Sequence, residues 1–314
     1  RPNARYYCDV YVHHFHLHRE PKGLKNNGGM IDPSAILKLE ETVRQVQWQY
    51  QDNITGGVIS PQPRSRRPLT HVSIIHDTDE SFWEKSGHLV KKYRDTKDQD
   101  GNYTYYPWKI WNWPESIENL VKQWYSIQAV FNHMDQSAKL LGKKYSRVAA
   151  LRSDVVYVLP LDIYDMGGLD RGSMVSELPD PIIDEKNQFL VVPYFALNPM
   201  NDRAICGPYE AVKVWATKRF QLLEEHKKLP KQRGQVMHPE RFLDITVLPT
   251  IAYQTSVTHK FNPRFCFFRA RADATIRITD CNYDKNKYFG SMDSTKLIEL
   301  VEQASGVSCE RRIT

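Results

Sequence analysis

The residues best suited to chemistry lie in three short polar clusters, each next to an apolar run. Asp154 closes the stretch Tyr145-Ser146-Arg147-Val148-Ala149-Ala150-Leu151-Arg152-Ser153-Asp154, where an apolar strand ends in charge soon after a long helix. A carboxylate at the carboxyl end of a buried strand can hold a divalent ion, manganese or magnesium, against a diphosphate, or bind sugar hydroxyls directly. Arg152 shares its side of an extended chain and can pair with Asp154 or reach a phosphate; a plain ion pair is the simpler alternative. Asn201-Asp202-Arg203 follows a second apolar run, Phe189 to Phe195. Asp202 suits either a general base for an acceptor hydroxyl or the cap of the next helix. His238-Pro239-Glu240 opens another helix. Glu240 is the runner-up base, an acceptor-binding carboxylate, or a first-turn acid offsetting the helix dipole.

Two further groups are weaker signals. His13, His14, His16 and His18 crowd one strand, and in an extended chain His14, His16 and His18 share a face. No compact Cys/His ligand pattern accompanies them, so a strand-end His13 touching nucleotide or sugar is preferred to zinc. Tyr103, Tyr105, Tyr106, Trp108, Trp111 and Trp113 could stack on an acceptor sugar or simply pack a core.

Hydrophobic periodicity supplies the elements that must position these groups. Tyr7 to Phe15 reads as a strand, and Asp32-Pro33 as the start of a helix carrying Ile36, Leu37, Leu39, Val43 and Val46. His71 to Ile75 is a second short strand. The polar and aromatic stretch at about 91–113 reads as a surface insertion. Apolar residues at steps of three or four predict a helix from Pro114 to Leu141, stopped by Gly142. Val148 to Leu151 and Phe189 to Phe195 read as strands of the sheet interior. Helices follow at about 208–226, where Lys227 and Lys228 suit the C-terminal dipole, and at 239–247. Strands at 255–261 and 265–269 and a helix near 294–303 complete the chain. Strands alternating with helices predict α/β with a mainly parallel central sheet, in one domain spanning 1–314.

Composition narrows the class. Hydrophobic residues at 41% and charged residues at 25% are ordinary for a soluble globular chain, and no apolar run is long enough to span a bilayer. Arg1 to Arg5 carries no signal core, so a targeting or anchoring segment would precede residue 1. The net charge of +6 is mild and scattered. Its densest cluster, Arg64, Arg66 and Arg67 among prolines, reads as a solvated loop, not a nucleic-acid stripe. Cys8, Cys206, Cys266, Cys281 and Cys309 form no CxxC pair. Cys266 and Cys281 are either bridged in an oxidising compartment or buried thiols. The sequons Asn53-Ile54-Thr55 and Asn102-Tyr103-Thr104 lie in turn-rich stretches and favour a secretory setting. GxGxxG, Walker, HExxH and GxSxG patterns are all missing, which removes the common dinucleotide, NTPase, metalloprotease and serine-hydrolase readings.

Several pieces, taken in order, resemble a group of GT-A-like glycosyltransferase-like proteins that includes the WavE-type lipopolysaccharide-synthesis proteins and eukaryotic and viral relatives. They are Cys8-Asp9-Val10-Tyr11-Val12-His13, Gln123-Trp124-Tyr125-Ser126, Tyr145 to Asp154, Asn201-Asp202-Arg203 before Gly207, Pro239-Glu240-Arg241-Phe242-Leu243, and the closing strand with Arg269 and Arg271. The resemblance implies a lumenal, Golgi-type glycosyltransferase taking a nucleotide-sugar donor and a glycan or protein acceptor. Asp154 would be the acidic donor-site and metal residue, with Arg152, His13, Asn201 and Arg269 also on the donor side. Asp202 and Glu240 would face the acceptor. The chain shows a single acid, not Asp-x-Asp, because Arg152 stands two before Asp154, and it lacks the nucleotide-contacting strand that opens the family. A catalytically silent relative acting as a binding or structural subunit is the alternative.

Overall fold

Val10–His16, rich in β-branched and aromatic residues, forms β1. Short β2 (Arg19–Glu20) and β3 (Gly29–Met30) pair antiparallel with each other, and β4 (Val72–Thr78) lies parallel to β1 in the register Val10↔Val72 through His16↔Thr78. The computed structural model of the chain describes residues 8–16, 19–20, 29–30, 41, 71–105, 115–152, 155–157, 163–164, 189–194, 199–229, 236–262, 265, 267–270, 276–277 and 299. The calls for a helix after Asp32, for the arginine–proline loop, for the Cys266–Cys281 bridge and for a helix near 294–303 fall outside these residues, apart from helical Glu41 and from Glu299.

Helix α1 (Asp79–Asp95) starts directly at the end of β4. Thr78 caps it: its hydroxyl accepts the Ser81 N–H at 3.2 Å while the Ser81 hydroxyl accepts the Thr78 N–H at 3.0 Å. This reciprocal arrangement satisfies two otherwise orphaned donors. Asp79 and Glu80 in the first turn and Lys92 and Arg94 in the last suit the dipole. The stretch read as an insertion therefore begins inside a helix, since Lys91 to Asp95 complete α1. Beyond it Lys97 bridges Tyr103, and Tyr105 is buried edge-on against Tyr93.

Helix α2 (Glu115–Leu140) buries Ile117, Leu120, Val121, Trp124, Phe131, Met134 and Ala138, the stripe its periodicity predicts. It ends in a Schellman turn, with Lys143 N–H on the Ala138 carbonyl at 2.8 Å and Gly142 N–H on that of Lys139 at 3.3 Å. Gly142 holds φ of 63° there.

A four-stranded sheet follows, in the order β5 (Arg147–Ala150), β8 (Ile205–Pro208), β7 (Phe189–Pro193), β9 (Thr258–Asn262). β8 runs antiparallel to both β5 and β7, and β9 runs parallel to β7. A separate antiparallel sheet joins β6 (Val155–Tyr157), β10 (Phe267–Ala270) and β11 (Ile276–Arg277). The fold is thus mixed α/β. Among the described strands, parallel pairing is confined to β1–β4 and β7–β9, so the expected mainly parallel sheet is not what the hydrogen bonding shows. Connectivity is the reason: β8 returns directly beside β7, and two neighbouring strands joined by a short link must run antiparallel. β5 also differs from expectation. It lies at the end of the sheet order, only half-buried, and Leu151 is 46% exposed. β7 is the strand that is buried throughout.

Gly207 shows how tightly β8 closes on β7: a Cβ there would stand 2.6 Å from Leu190 Cδ2 and 3.1 Å from Leu190 Cα. Helices α3 (Tyr209–Thr217) and α4 (Arg219–His226) replace the single helix expected over 208–226, parted at Lys218 where φ is −102° and ψ 0°. The predicted helix at 239–247 is α5 (Pro239–Phe242), which continues through a π-helical turn, Leu243–Val247, into α6 (Leu248–Thr255).

Gly142→Ala should destabilise the fold by about 1 kcal/mol, because nothing lies within 4 Å of the new Cβ and the cost is purely that of positive φ. Urea unfolding of the two proteins checks this; an unchanged midpoint would mean that the turn does not need glycine.

Candidate functional site

Among the described residues, three polar clusters involve the residues singled out in the sequence. The first is the carboxyl end of the β1–β4 pair. Asp77, the penultimate residue of β4, is 6% exposed and accepts four hydrogen bonds. Tyr125 O–H (2.8 Å) and His13 Nε2–H (3.1 Å) reach one oxygen, Lys85 Nζ (2.6 Å) and Ser81 O–H (2.7 Å) the other. Burial raises the Asp77 pKa, but the bonds from Lys85, Ser81, His13 and Tyr125 outweigh it and hold the carboxyl well below its ordinary range. Burial keeps His13 neutral despite Asp77. With its proton on Nε2, Nδ1 accepts the Ser126 hydroxyl at 2.7 Å.

Ser126, His13 and Asp77 thus form a chain of the hydrolase type. Yet Ser126 lies well inside α2, where backbone N–H groups are committed to the helix ladder and cannot hold an oxyanion. The chain works as a strut that binds β1, β4, α1 and α2 together. His13, expected on the donor side, spends both ring nitrogens inside this network.

The second cluster lies behind the start of β1. Asp9 accepts from Lys143 Nζ at 2.7 Å and from Tyr145 O–H at 2.5 Å, and takes the backbone N–H of His71 at 2.7 Å. Tyr11 and Tyr145 share a further hydrogen bond at 2.9 Å. Asp9 and Tyr145 thus meet here, whereas His13, Tyr125 and Ser126 belong to the Asp77 network.

The third cluster collects the predicted acids. β5, β7 and β9 run in one direction, so their carboxyl ends share one sheet edge with the entry to β8, where Asn201-Asp202-Arg203 lies. Asn201 is buried, and its Oδ1 accepts the Arg203 N–H at 3.0 Å in a turn that fixes the segment. Asp202 is 5% exposed. It is not a helix cap, since α3 starts at Tyr209 with Pro208 in the cap position. The charge of Asp202 acts on Arg219, His238 and Glu240. Arg219 is 3% exposed and stacks 4.0 Å above the Trp215 ring; burial lowers its pKa to about 10 and Asp202 works against that fall.

Glu240 comes into the same cluster from the first turn of α5. His238 caps that turn through Nδ1, which accepts the Arg241 N–H at 3.3 Å. Glu240 Oε2 lies 3.3 Å from the same nitrogen. An ionised carboxylate there would set acceptor against acceptor, and a proton on Glu240 relieves this. Burial first, and the charge of Asp202 second, push Glu240 up to about 8, against a smaller pull from Arg203. Held protonated, Glu240 would contribute little against the dipole of the short helix whose first turn it occupies.

Arg152 is half-buried at the end of β5, where its backbone N–H meets the Tyr157 hydroxyl at 2.9 Å. Arg269 lies in β10, opposite Val155. Asp154 lies outside the described residues. The structure brings Asp202 and Glu240 together and places Asn201 beside them. His13 belongs to the separate strut. Sequence reasoning missed Asp77 and Arg219. A strand ending in an acid before a capping threonine was the signal for Asp77; an arginine four positions after Trp215 was the signal for Arg219. No protein-family model matches the chain, and neither a curated protein nor a solved structure is significantly similar to it.

Two outcomes follow. Asp77→Ala strands buried donors on His13 and Tyr125 and should cost about 3 kcal/mol in urea unfolding, whereas Ser126→Ala should cost about 1 kcal/mol and the serine should resist fluorophosphonate labelling. Labelling of Ser126 would show a nucleophile where a strut is described. For Glu240, a folded pKa above the unfolded value means that the native state holds the extra proton between about pH 4.5 and 8. That stability is complete below the window and is lost as pH rises through it. Glu240→Gln should therefore gain in melting temperature over the parent as pH rises from 5 to 9; a constant difference would show that Glu240 is ionised throughout.

Proposed function

We propose that the chain is a nucleotide-sugar glycosyltransferase of the GT-A-like kind, related to the WavE-type proteins, that moves a sugar to a glycan or protein acceptor. The observation that carries this reading is the Asp202–Glu240 pair. Asp202 lies at the edge where β5, β7 and β9 end, and Glu240, 38 positions on, keeps its proton through burial first and the charge of Asp202 second. A buried acid that holds its proton beside a second carboxylate suits proton transfer. In the transfer step Asp202 takes the proton of the acceptor hydroxyl as that oxygen attacks the sugar, and Glu240 orients the acceptor through its own O–H. Arg152, Asn201, Arg269 and Asp154 belong to the donor side in this reading. Negative charge developing on the departing diphosphate is offset by Arg152 or by a manganese or magnesium ion held at Asp154.

The same reading puts the chain in a secretory-pathway lumen, in the Golgi. Asn102 of the second sequon is exposed in the turn between Lys97 and Tyr103, where a glycan has room. No helix among the described residues is long and apolar enough to cross a membrane.

A second reading has its own observation. Asp202 and Arg219 are almost wholly buried, as in a closed ion cluster of a transferase-like protein that only binds or scaffolds. Nucleotide binding separates the two. A transferase should gain melting temperature with one nucleoside diphosphate from a panel tested with and without Mn²⁺, because a ligand specific to the folded state stabilises it by mass action. Asp202→Asn should then lower turnover by roughly 10²–10⁴-fold with nucleotide affinity nearly intact. The absence of any nucleotide shift would leave the scaffold reading, and mild effects at both Asp202 and Glu240 would reject the base assignment.

A further inference from the structure

The β1–β4 pair has two faces, and the strut uses only one. Tyr11, His13 and Phe15 of β1, with Ser73 and Asp77 of β4, engage α2 or the groups around it. On a pleated pair the alternate residues, Val10, Val12, His14 and His16 with Val72, Ile74 and His76, lie on the opposite face. That face is aliphatic toward its amino end and carries three imidazoles, with Thr78 opposite His16, toward its carboxyl end. His14 and His76 are register partners across the pair, and His16 follows two residues on from His14. The three rings stand together, with centroids 4.2 Å apart for His16–His76, 5.0 Å for His14–His16 and 5.7 Å for His14–His76.

The rings of His16 and His76 hydrogen-bond to none of the described residues. One ring nitrogen from each histidine lies within 4.8 Å of the other two. Three nitrogens bound to one tetrahedral ion, each at about 2.0–2.1 Å, stand roughly 3.4 Å from one another. Closing that gap needs only side-chain rotation, and His16 and His76 are exposed and free to turn.

We propose that His14, His16 and His76 form a binding site for a late first-row divalent ion of the zinc type. Neutral imidazole suits zinc and copper, whereas calcium and magnesium demand oxygen ligands. Three protein nitrogens leave the fourth tetrahedral position to water or another group. The site shares no residue with the Asp202–Glu240 cluster, and it stands whether or not the chain transfers sugars. Sequence alternation put His14 and His16 on one face with His18. The third ligand is instead His76, reached across the strand pair and 60 positions from His16.

The test uses the purified chain, stripped of metal by dialysis. Zn²⁺ is titrated against a chromophoric chelator, and Co²⁺ is added separately to read its visible d–d bands. One equivalent of Zn²⁺ should bind in the presence of millimolar Mg²⁺, and Co²⁺ should give the strong absorption of a tetrahedral site. His16→Ala and His76→Ala, both at exposed positions, should each weaken Zn²⁺ binding at least tenfold with unchanged circular dichroism. His88→Ala, an exposed histidine of α1, should bind as the parent does. Zn²⁺ binding that is absent, equal in His76→Ala and the parent, or lost equally in His88→Ala would overturn the proposal, as would displacement by Mg²⁺.

Discussion

One carboxylate organises this end of the molecule. Asp77 receives bonds from β1 through His13, from α1 through Ser81 and Lys85, and from α2 through Tyr125. A buried carboxylate is costly unless its lone pairs are filled, and here four donors fill them. Each donor comes from an element that also packs apolar surface, so the polar network and the hydrophobic core fix the same arrangement. Phe82 meets Phe15 and Tyr125 edge-on beside the carboxylate, and this aromatic cover keeps water away and strengthens the bonds it accepts.

The sheet edge on the other side follows a different rule. The charge of Asp202 acts on Arg219, whose guanidinium stacks on Trp215 and whose Nη2 meets no described acceptor, while burial and that same charge push Glu240 toward its protonated form. A network left partly satisfied costs stability and is retained where the groups have work to do. The contrast between a saturated hub at Asp77 and the unpartnered atoms Arg219 Nη2 and Glu240 Oε2 distinguishes the two polar clusters more clearly than burial does, since both are deeply buried.

Much of the frame was legible in the sequence because it rests on local pattern. Three-or-four spacing marked α2, glycine marked its end, and β-branched runs marked β1, β4 and β7. Helix α1 was not legible in the same way. Lys85, Glu84, Lys91 and Lys92 dilute its apolar stripe, and its start rests on a cap made with serine in place of the usual glutamate. Strand direction was hidden too, because nothing local to Ile205–Pro208 says that it lies between two strands running the other way. The site was half legible. Asp202 and Glu240 each stood out beside an element end, but their meeting depends on the turn at Asn201 and the cap at His238. His76 escaped notice as a ligand because its partners lie across a strand pairing that sequence spacing cannot reveal.

The register that aligns Val10 with Val72 also bears on how the chain reaches its native state. Parallel strands so far apart in sequence pair only after a long loop has closed, and its entropy is lost before any contact rewards it. Helices α2 and α3, made of near-neighbour contacts, have no such delay. The bonds at Asp77 need β1, β4 and α2 already in place, so they belong to the last steps of assembly. Interactions formed that late slow escape from the native state and leave the approach to it almost unchanged. The hub is therefore a brake on unfolding, and stopped-flow kinetics would find its contribution in the unfolding limb.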